Sequence, residues 1–337
     1  MRVSNESGGL AGVVAIGASA GGVEALTQLA AGLPADLPYA FLVTLHLPPT
    51  APSVLARIVD RRGPLPAVTA EQGTELEPAH IYVAVPDYHL LVDDHRVVLS
   101  RGPTENGHRP AINALFRSVA LSFGPRAIGV LLSGVLDDGV SGLGTIQARG
   151  GVTIGQTPDD ALFPAMPTNA ATAGVLDHQV SAADVGTLLK ELARRDTTRT
   201  NTEPDITLEL ENRIAMASHL ATQFDAADLG PASGYTCPDC NGSLSALGDH
   251  HFRCRVGHAW SPESLLAARD DEVETALWVA LRSLREKAGL ARKLADRVGH
   301  GLMHRRYTQI ADEADRALAV LSERLGSLTT NHGDAVG

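Results

Sequence analysis

Over the first 192 residues short apolar runs alternate with helix-period patterns, and this alternation admits few folds besides a parallel sheet wrapped by helices on both faces. The apolar runs predict strands over 13–16, 40–45, 81–85, 127–132 and 152–154, and the segments between them predict helices over 22–31, 53–59, 111–122, 141–148 and 182–192. One hairpin interrupts the order, 89–92 turning through Asp93-Asp94-His95 into 97–99, so a mixed sheet with an antiparallel edge is expected. The fold class that follows is α/β, doubly wound and mainly parallel.

The first strand runs into Gly17-Ala18-Ser19-Ala20-Gly21-Gly22, after which a helix pattern begins at once. Small residues on both sides allow a sharp strand-to-helix turn that exposes a serine hydroxyl at the carboxyl edge of the sheet, where open α/β folds bind ligands. Helix-terminal N–H groups there suit a developing oxyanion, and equally a phosphate. Against a nucleotide stand the lack of a Gly-Lys-Ser/Thr sequence and a second strand that ends in His46, where a dinucleotide fold would carry an acidic residue. His46 is instead placed to take the Ser19 proton. The fourth strand breaks at Ser133-Gly134 before Asp137-Asp138-Gly139, so a carboxylate there can orient the imidazole, while helix capping is the other duty expected of an aspartate at this position. The order Ser, His, Asp differs from the Ser, Asp, His of α/β-hydrolases, which share the pentapeptide.

The segments VVAIGASAGGVEAL, FLVTLHLPP, IYVAVPDYHLLV, RPAINALFRSVA, GVLLSGVLDDGVSGL and GQTPDDALFPAMPTNA resemble, in order, blocks of the catalytic domain of chemotaxis protein-glutamate methylesterases, the CheB family. The resemblance implies a Rossmann-like methylesterase fold over residues 1–193 and a catalytic set of Ser19, His46 and Asp138, the last rather than Asp137. It implies hydrolysis of the γ-methyl ester of glutamate on methylated chemoreceptor cytoplasmic helices or a related protein substrate, sometimes glutamine deamidation, with no cofactor for catalysis. An esterase-like protein with a different signalling target, or a scaffold with a vestigial triad, is the alternative. Three positions depart from the family pattern: Ala20 for a threonine, Ser133-Gly134-Val135-Leu136 in the turn after the fourth strand, and Asn113 for an aspartate. The family's N-terminal receiver domain is expected to be missing, since the sequence starts directly at the first catalytic strand.

Residues 194–233 hold a polar linker, RRDTTRTNTEPD, and a connecting segment. Next comes a cysteine module at 234–260, Cys237-x2-Cys240, thirteen residues, then Cys254-x3-His258. Two thiolates in a tight turn with a second Cys/His pair can close a tetrahedral zinc site, so Cys237, Cys240, Cys254 and His258 are the candidate ligands, with His250 and His251 as weaker choices for the fourth, against a redox CxxC or three incidental thiols as the other reading. A closed four-ligand site leaves no open position for water, so the zinc is expected to be structural and the catalytic domain to work without it. Ser261-Pro262-Glu263 opens a tail, 261–328, in which apolar residues at 277, 281, 284, 288, 291 and 298, and again at 310, 314, 318, 321 and 325, predict a helical hairpin around Gly299 and Gly301.

The net charge of −11 includes 15 basic against 25 acidic side chains in residues 1–233, which excludes the clustered Lys and Arg that nucleic acid or an anionic membrane requires. No stretch is long and apolar enough for membrane insertion, and an apolar run at 10–16 resembles a signal peptide only until Glu6 and Gly12 are considered. Three cysteines confined to 18 residues make no disulfide framework, so a cytoplasmic, reducing location is expected.

Overall fold

The computed structural model describes residues 9–50, 54–195, 197, 205–217, 230–247 and 251–333. Elements follow in the order β1 (Gly12–Ala18), α1 (Gly22–Gly32), β2 (Tyr39–Leu45), α2 (Leu55–Asp60), β3 (Ala67–Thr69), β4 (Ile81–Val83), β5 (His89–Asp93), β6 (Arg96–Ser100), α3 (Ile112–Phe123), β7 (Ala127–Leu131), α4 (Val140–Ala148), β8 (Val152–Gln156), α5 (Ala165–Thr172), β9 (His178–Val180), α6 (Val185–Leu192) and α7 (Ile206–Ala215). Among the described residues these are followed by β10 (Ala232–Thr236), β11 (Ser243–Leu247), β12 (His251–Cys254), β13 (Ala259–Trp260), α8 (Pro262–Val298) and α9 (Leu302–Gly333). The first residue of the expected helix 53–59 and most of the expected linker 194–205 lie outside the described residues.

Seven strands form one sheet in the order β3-β4-β2-β1-β7-β8-β9, with every pairing parallel. The side-chain period of two splits the central strands between two cores. Val14, Ile16, Phe41 and Val43 face α1, α2 and α6, whereas Val13, Ala15, Ala40 and Leu42 face α3 and α4. Both faces are covered, which is why β1 and β2 read as unbroken apolar runs.

The expected antiparallel edge is not there. β5 and β6 pair only with each other, in a separate two-stranded sheet, because Leu90, Val92 and Val97 are buried in the core shared with α3 instead of extending the main sheet. Strands β3 and β9, three residues each, escape the sequence pattern because segments this short at the sheet edges carry too few apolar residues.

Residues 1–264 form one compact unit and 265–337 a second. The cysteine module is therefore not an independent bead on a linker. Its sheet, β10-β11-β12-β13, is extended by a parallel bridge between Ala259 and Glu105: Ala259 N–H donates to Thr104 O (3.2 Å), and Asn106 N–H donates to Ala259 O (2.8 Å). Beside it Glu105, 3% exposed, takes two hydrogen bonds from Arg117 and lies 3.5 Å from Arg253, which also bonds Glu211 at 2.9 Å. Burial alone would raise the Glu105 carboxyl, but the Arg117 and Arg253 guanidinium groups bring it down to about 2.

In the second unit, the remainder of α8 and α9 pair as antiparallel helices around Leu281, Ala288, Ala291, Ala295, Ala311 and Ala314, with Arg292 on Asp315. Gly299 and Gly301, both at positive φ, make the turn between them as the sequence spacing predicts.

Removing Glu105 would leave the buried Arg117 guanidinium without its carboxylate and Arg253 with Glu211 alone, so Glu105→Ala should cost about 3–5 kcal/mol in urea unfolding at pH 7. The Glu105 pKa is lower folded than unfolded, so its contribution is complete above the unfolded value of 4.5 and is lost as pH falls towards 2. The gap between wild type and Glu105→Ala should accordingly narrow in unfolding curves taken at pH 3, and a gap independent of pH would contradict the network.

Candidate active site

Three strand ends deliver the three sequence-predicted residues to one point. β1 stops at Ala18, and Ser19 turns the chain into α1: its N–H donates to Ser133 O (2.9 Å) and its carbonyl accepts from Gly22 N–H (2.9 Å). Gly21 sits at φ 68°, and a Cβ there would lie 2.6 Å from Ser133 Oγ, so both backbone and space demand glycine. β2 ends one residue before His46, whose N–H donates to Ala18 O (3.2 Å). The turn after β7 supplies Asp138.

His46 Nδ1 lies 3.1 Å from Ser19 Oγ, and its Nε2 lies 2.8 Å from Asp138 Oδ2. An ionised carboxylate only accepts, so Nε2 carries the proton and Nδ1 offers its lone pair to the Ser19 hydroxyl. The His46 and Asp138 side chains are 8% and 3% exposed, which shields the relay from water.

Asp138 is held by more than His46. The helix α3 begins after Ala111, which has no capping side chain, and its first two amides are capped from outside: Ile112 N–H donates to Asp138 Oδ2 (2.7 Å) and Asn113 N–H to Oδ1 (3.2 Å). Burial would raise this carboxyl; the hydrogen bond and charge of His46, the charge of His108 and the Ile112 amide bring it below its ordinary value. α3 returns the favour to α4, whose N-cap is Gly139. Asn113 Oδ1 accepts from Gly139 N–H (3.0 Å) and Gly142 N–H (2.8 Å), a duty that needs only an acceptor and so suits asparagine where the resemblance expects aspartate. Ser133, another departure, donates its hydroxyl to Ala20 O (2.8 Å) and accepts from Phe163 N–H (2.9 Å), tying the Ser19 turn to the segment before α5.

Asp137 does something different from its neighbour. Its Oδ1 accepts from the hydroxyls of Ser261 (2.8 Å) and Ser264 (2.9 Å) at the start of α8, and no side-chain bond from it reaches α4. Burial, against those two hydrogen bonds, raises its carboxyl to about 6.

One residue that spacing did not single out completes the site. His108 stacks on His46 with ring centroids 3.7 Å apart and planes 14° from parallel. Burial first, and the neighbouring His46 second, lower its pKa to about 4, so its ring is neutral at pH 7. The segment carrying His108 is braced along its length: His89 Nε2 donates to Pro103 O (2.9 Å), and Arg109 bonds Asp87 and Gly102 O. Nothing in the sequence near Gly107-His108-Arg109 marks it, because the contact joins positions 62 residues apart.

Cys237, Cys240, Cys254 and His258 also converge, with four ligand atoms within 4.8 Å of one another. Cys240 Sγ lies 3.6 Å from Cys254 Sγ, and His258 Nδ1 lies 3.6 Å from Cys237 Sγ and 3.5 Å from Cys254 Sγ. A tetrahedron with Zn–S bonds of about 2.3 Å has edges near 3.7 Å, so the donor set fits zinc in type and spacing.

The CheB methylesterase family model matches residues 14–189, the whole α/β region from β1 to α6. The chain belongs to the CheB methylesterase family. A protein-glutamate methylesterase/protein-glutamine glutaminase 3 of Anaeromyxobacter dehalogenans is 41% identical over 167 residues, covering 49% of each chain. The corresponding protein 1 of Caulobacter vibrioides is 37% identical over 185 residues, 54% of each. This chain thus spans about half the length of the curated relatives it matches. Among solved structures, the CheB methylesterase catalytic domain of Thermotoga maritima superposes with a TM-score of 0.52 at 29% identity, covering 54% of this chain and 98% of that one. The cysteine module and α8–α9 lie outside the region matched by the CheB model.

The raised Asp137 pKa has a thermodynamic sign. A carboxyl that titrates higher folded than unfolded contributes its stability below the unfolded value of 3.8 and loses it as pH rises through about 6. Asp137→Asn keeps an acceptor for both serines and cannot ionise, so at pH 8 it should be more stable than wild type by on the order of 1 kcal/mol. Thermal melts at pH 5 and pH 8 check this: the advantage should shrink at pH 5, and a loss of stability at pH 8 would contradict the assignment.

Proposed function

We propose that this chain is a serine esterase that removes the γ-methyl ester from glutamate side chains of chemoreceptor-type helices, and deamidates glutamine at the same site. The observation that carries the reading is the continuous line Ser19 Oγ, His46 Nδ1, His46 Nε2, Asp138 Oδ2, with contacts of 3.1 and 2.8 Å. The names of the relatives support the substrate class.

In this mechanism Ser19 Oγ attacks the ester carbonyl while its proton passes to His46 Nδ1. Asp138 holds the Nε2–H and stabilises the imidazolium that forms. Collapse of the tetrahedral intermediate breaks the C–OCH3 bond, and His46 returns the proton to the leaving methanol. A water molecule, deprotonated by His46, then hydrolyses the acyl-serine to glutamate. With glutamine the leaving group is ammonia and the steps are otherwise the same. The neutral His108 ring, lying flat on the imidazole, covers one face and presents π density to the transient cation.

The cysteine module takes one zinc ion on Cys237, Cys240, Cys254 and His258. The metal supplies a cross-link that a small module with little core of its own needs in order to fold. The three thiols are free of disulfides, in keeping with work in the cytoplasm, and among the described residues no helix is long and apolar enough to cross a membrane.

Methanol release from a methylated receptor helix by the purified chain tests the reading. Ser19→Ala should lower the rate by several orders of magnitude without loss of fold. Asp138→Asn should be nearly as harmful, since it alters the partner that fixes the tautomer, whereas Asp137→Asn should remain within a few-fold of wild type. Wild-type turnover by folded Ser19→Ala, or equal damage from the two aspartate changes, would refute it.

A further inference from the structure

The cysteine cluster and the catalytic histidine are joined by a short covalent and hydrogen-bonded route. Two of the four ligand residues have as chain neighbours the residues that grip the 104–108 segment. Arg253 precedes Cys254 and reaches Glu105; Ala259 follows His258 and exchanges backbone hydrogen bonds with Thr104 and Asn106. The grip is reinforced where Ser261 N–H donates to Asn106 Oδ1 (2.8 Å) and Thr104 Oγ1 donates to Asp239 Oδ2 (2.7 Å). Two residues past Asn106, His108 lies on His46.

The turn that carries the ligands is closed on itself, because Cys254 N–H donates to His258 O (3.0 Å), Gly257 N–H to Cys254 O (2.9 Å) and Arg253 to Gly257 O (2.7 Å). Gly257, at φ 105°, packs so tightly that a Cβ would lie 2.7 Å from Ile214 and 2.8 Å from Pro103. Residue 103 leads directly into the gripped segment. A metal that fixes Cys254 and His258 therefore fixes the spacing of Arg253 and Ala259, and with it the bridge between Ala259 and residues 104–106.

We propose that metal binding in the cysteine module is coupled to catalysis: the loaded cluster holds residues 104–106 bridged to Ala259, and that bridge keeps His108 stacked on His46. His108 is then a positioning residue and the module a metal-dependent control on esterase turnover. The inference rests on the esterase and zinc readings above. It differs from the expectation drawn from sequence, in which small-ester hydrolysis is indifferent to the metal.

Two readouts on the full chain test it. The first is the NMR titration of His108, which faces His46 and, beyond it, Asp138. In zinc-loaded protein the ring should stay neutral down to about pH 4, and after removal of zinc with a chelator it should titrate near the ordinary 6.5. The second is kcat for a small ester, which should fall roughly 10- to 100-fold on chelation and return on adding zinc. Amide exchange in β1 and β7 monitors the fold of the catalytic sheet. An unchanged His108 titration and unchanged kcat, with metal content reduced below a tenth of an ion per chain, would overturn the coupling.

If chelation unfolds the sheet as well, Asn106→Gly supplies the decision. It keeps the positive-φ backbone of that position (φ 52°) and all four ligands while deleting the acceptor for Ser261. Retained zinc with a raised His108 pKa and reduced kcat supports the coupling; retained zinc with both unchanged overturns it. Failure of the parent readings is distinguishable. A wild-type chain with no ester hydrolysis sinks the esterase, and the coupling is then judged on the His108 titration alone. A folded module without metal removes the zinc reading and the coupling together.

Discussion

Burying the Asp138 carboxylate is costly, and the site is arranged around repaying that cost. Three donors meet it: His46 Nε2–H and the Ile112 and Asn113 amides. Two of these are the first orphan N–H groups of α3, so the same charge that orients the imidazole also caps a helix and interacts with its positive end. The reciprocal bond from Asn113 to Gly139 and Gly142 locks α3 and α4 to one another across the turn that carries the aspartate. Geometry leaves no slack: a Cβ on Gly17 would lie 2.2 Å from Ile112 Cγ2, and one on Gly139 would lie 2.8 Å from the same atom. Glycine at both positions lets α3 approach β1 closely enough for its amides to reach the carboxylate.

Adjacent residues in this turn serve different masters. Asp138 points towards His46 and is held below its ordinary pKa first by the His46 hydrogen bond and also by the Ile112 amide, while Asp137 points towards Ser261 and Ser264, finds only neutral donors, and is raised by burial. The second contact ties the first turn of α8 to the catalytic loop by the shortest possible route, one peptide unit. Together with the Glu105–Arg117–Arg253–Glu211 cluster and the bridge from Glu105 to Ala259, it makes the cysteine module a structural part of the α/β half. The cluster is incompletely satisfied, since Arg117 Nε and Arg253 Nε are buried without a partner, so its value lies in fixing one docking geometry more than in raw stability.

Much of this was legible in the chain itself. Apolar runs located β1, β2, β7 and β8, and the three-four spacing located α8, α9 and the glycine turn between them, because these signals are local and repeat at the period of the element. Ser19, His46 and an aspartate of the 137–138 pair were readable because each follows a strand of a parallel sheet, and such ends converge at one edge, whereas the choice of Asp138 came from the family resemblance. The cluster of Cys237, Cys240, Cys254 and His258 was readable from two short spacings. The hairpin β5–β6 was misplaced at a sheet edge, since a period of two says which face is apolar but not which partner covers it.

What tertiary structure alone decided is every feature that depends on residues far apart in sequence. His108 acquires its stacking partner and its low pKa only through burial against His46; Asn113 and Ser133 become a cap and a tie only once α4 and the segment before α5 are brought beside them. The docking of the cysteine module likewise joins Arg253 to a carboxylate 148 residues earlier, and no local pattern encodes such a pair. The sequence by itself determined the sheet, the strand ends that bring Ser19, His46 and Asp138 together, and the spacing of the cysteine–histidine cluster, because periodicity and strand ends are properties of the chain. Which ring faces which, and which charge is desolvated, was decided by packing, because burial and long-range contacts exist only in the folded molecule.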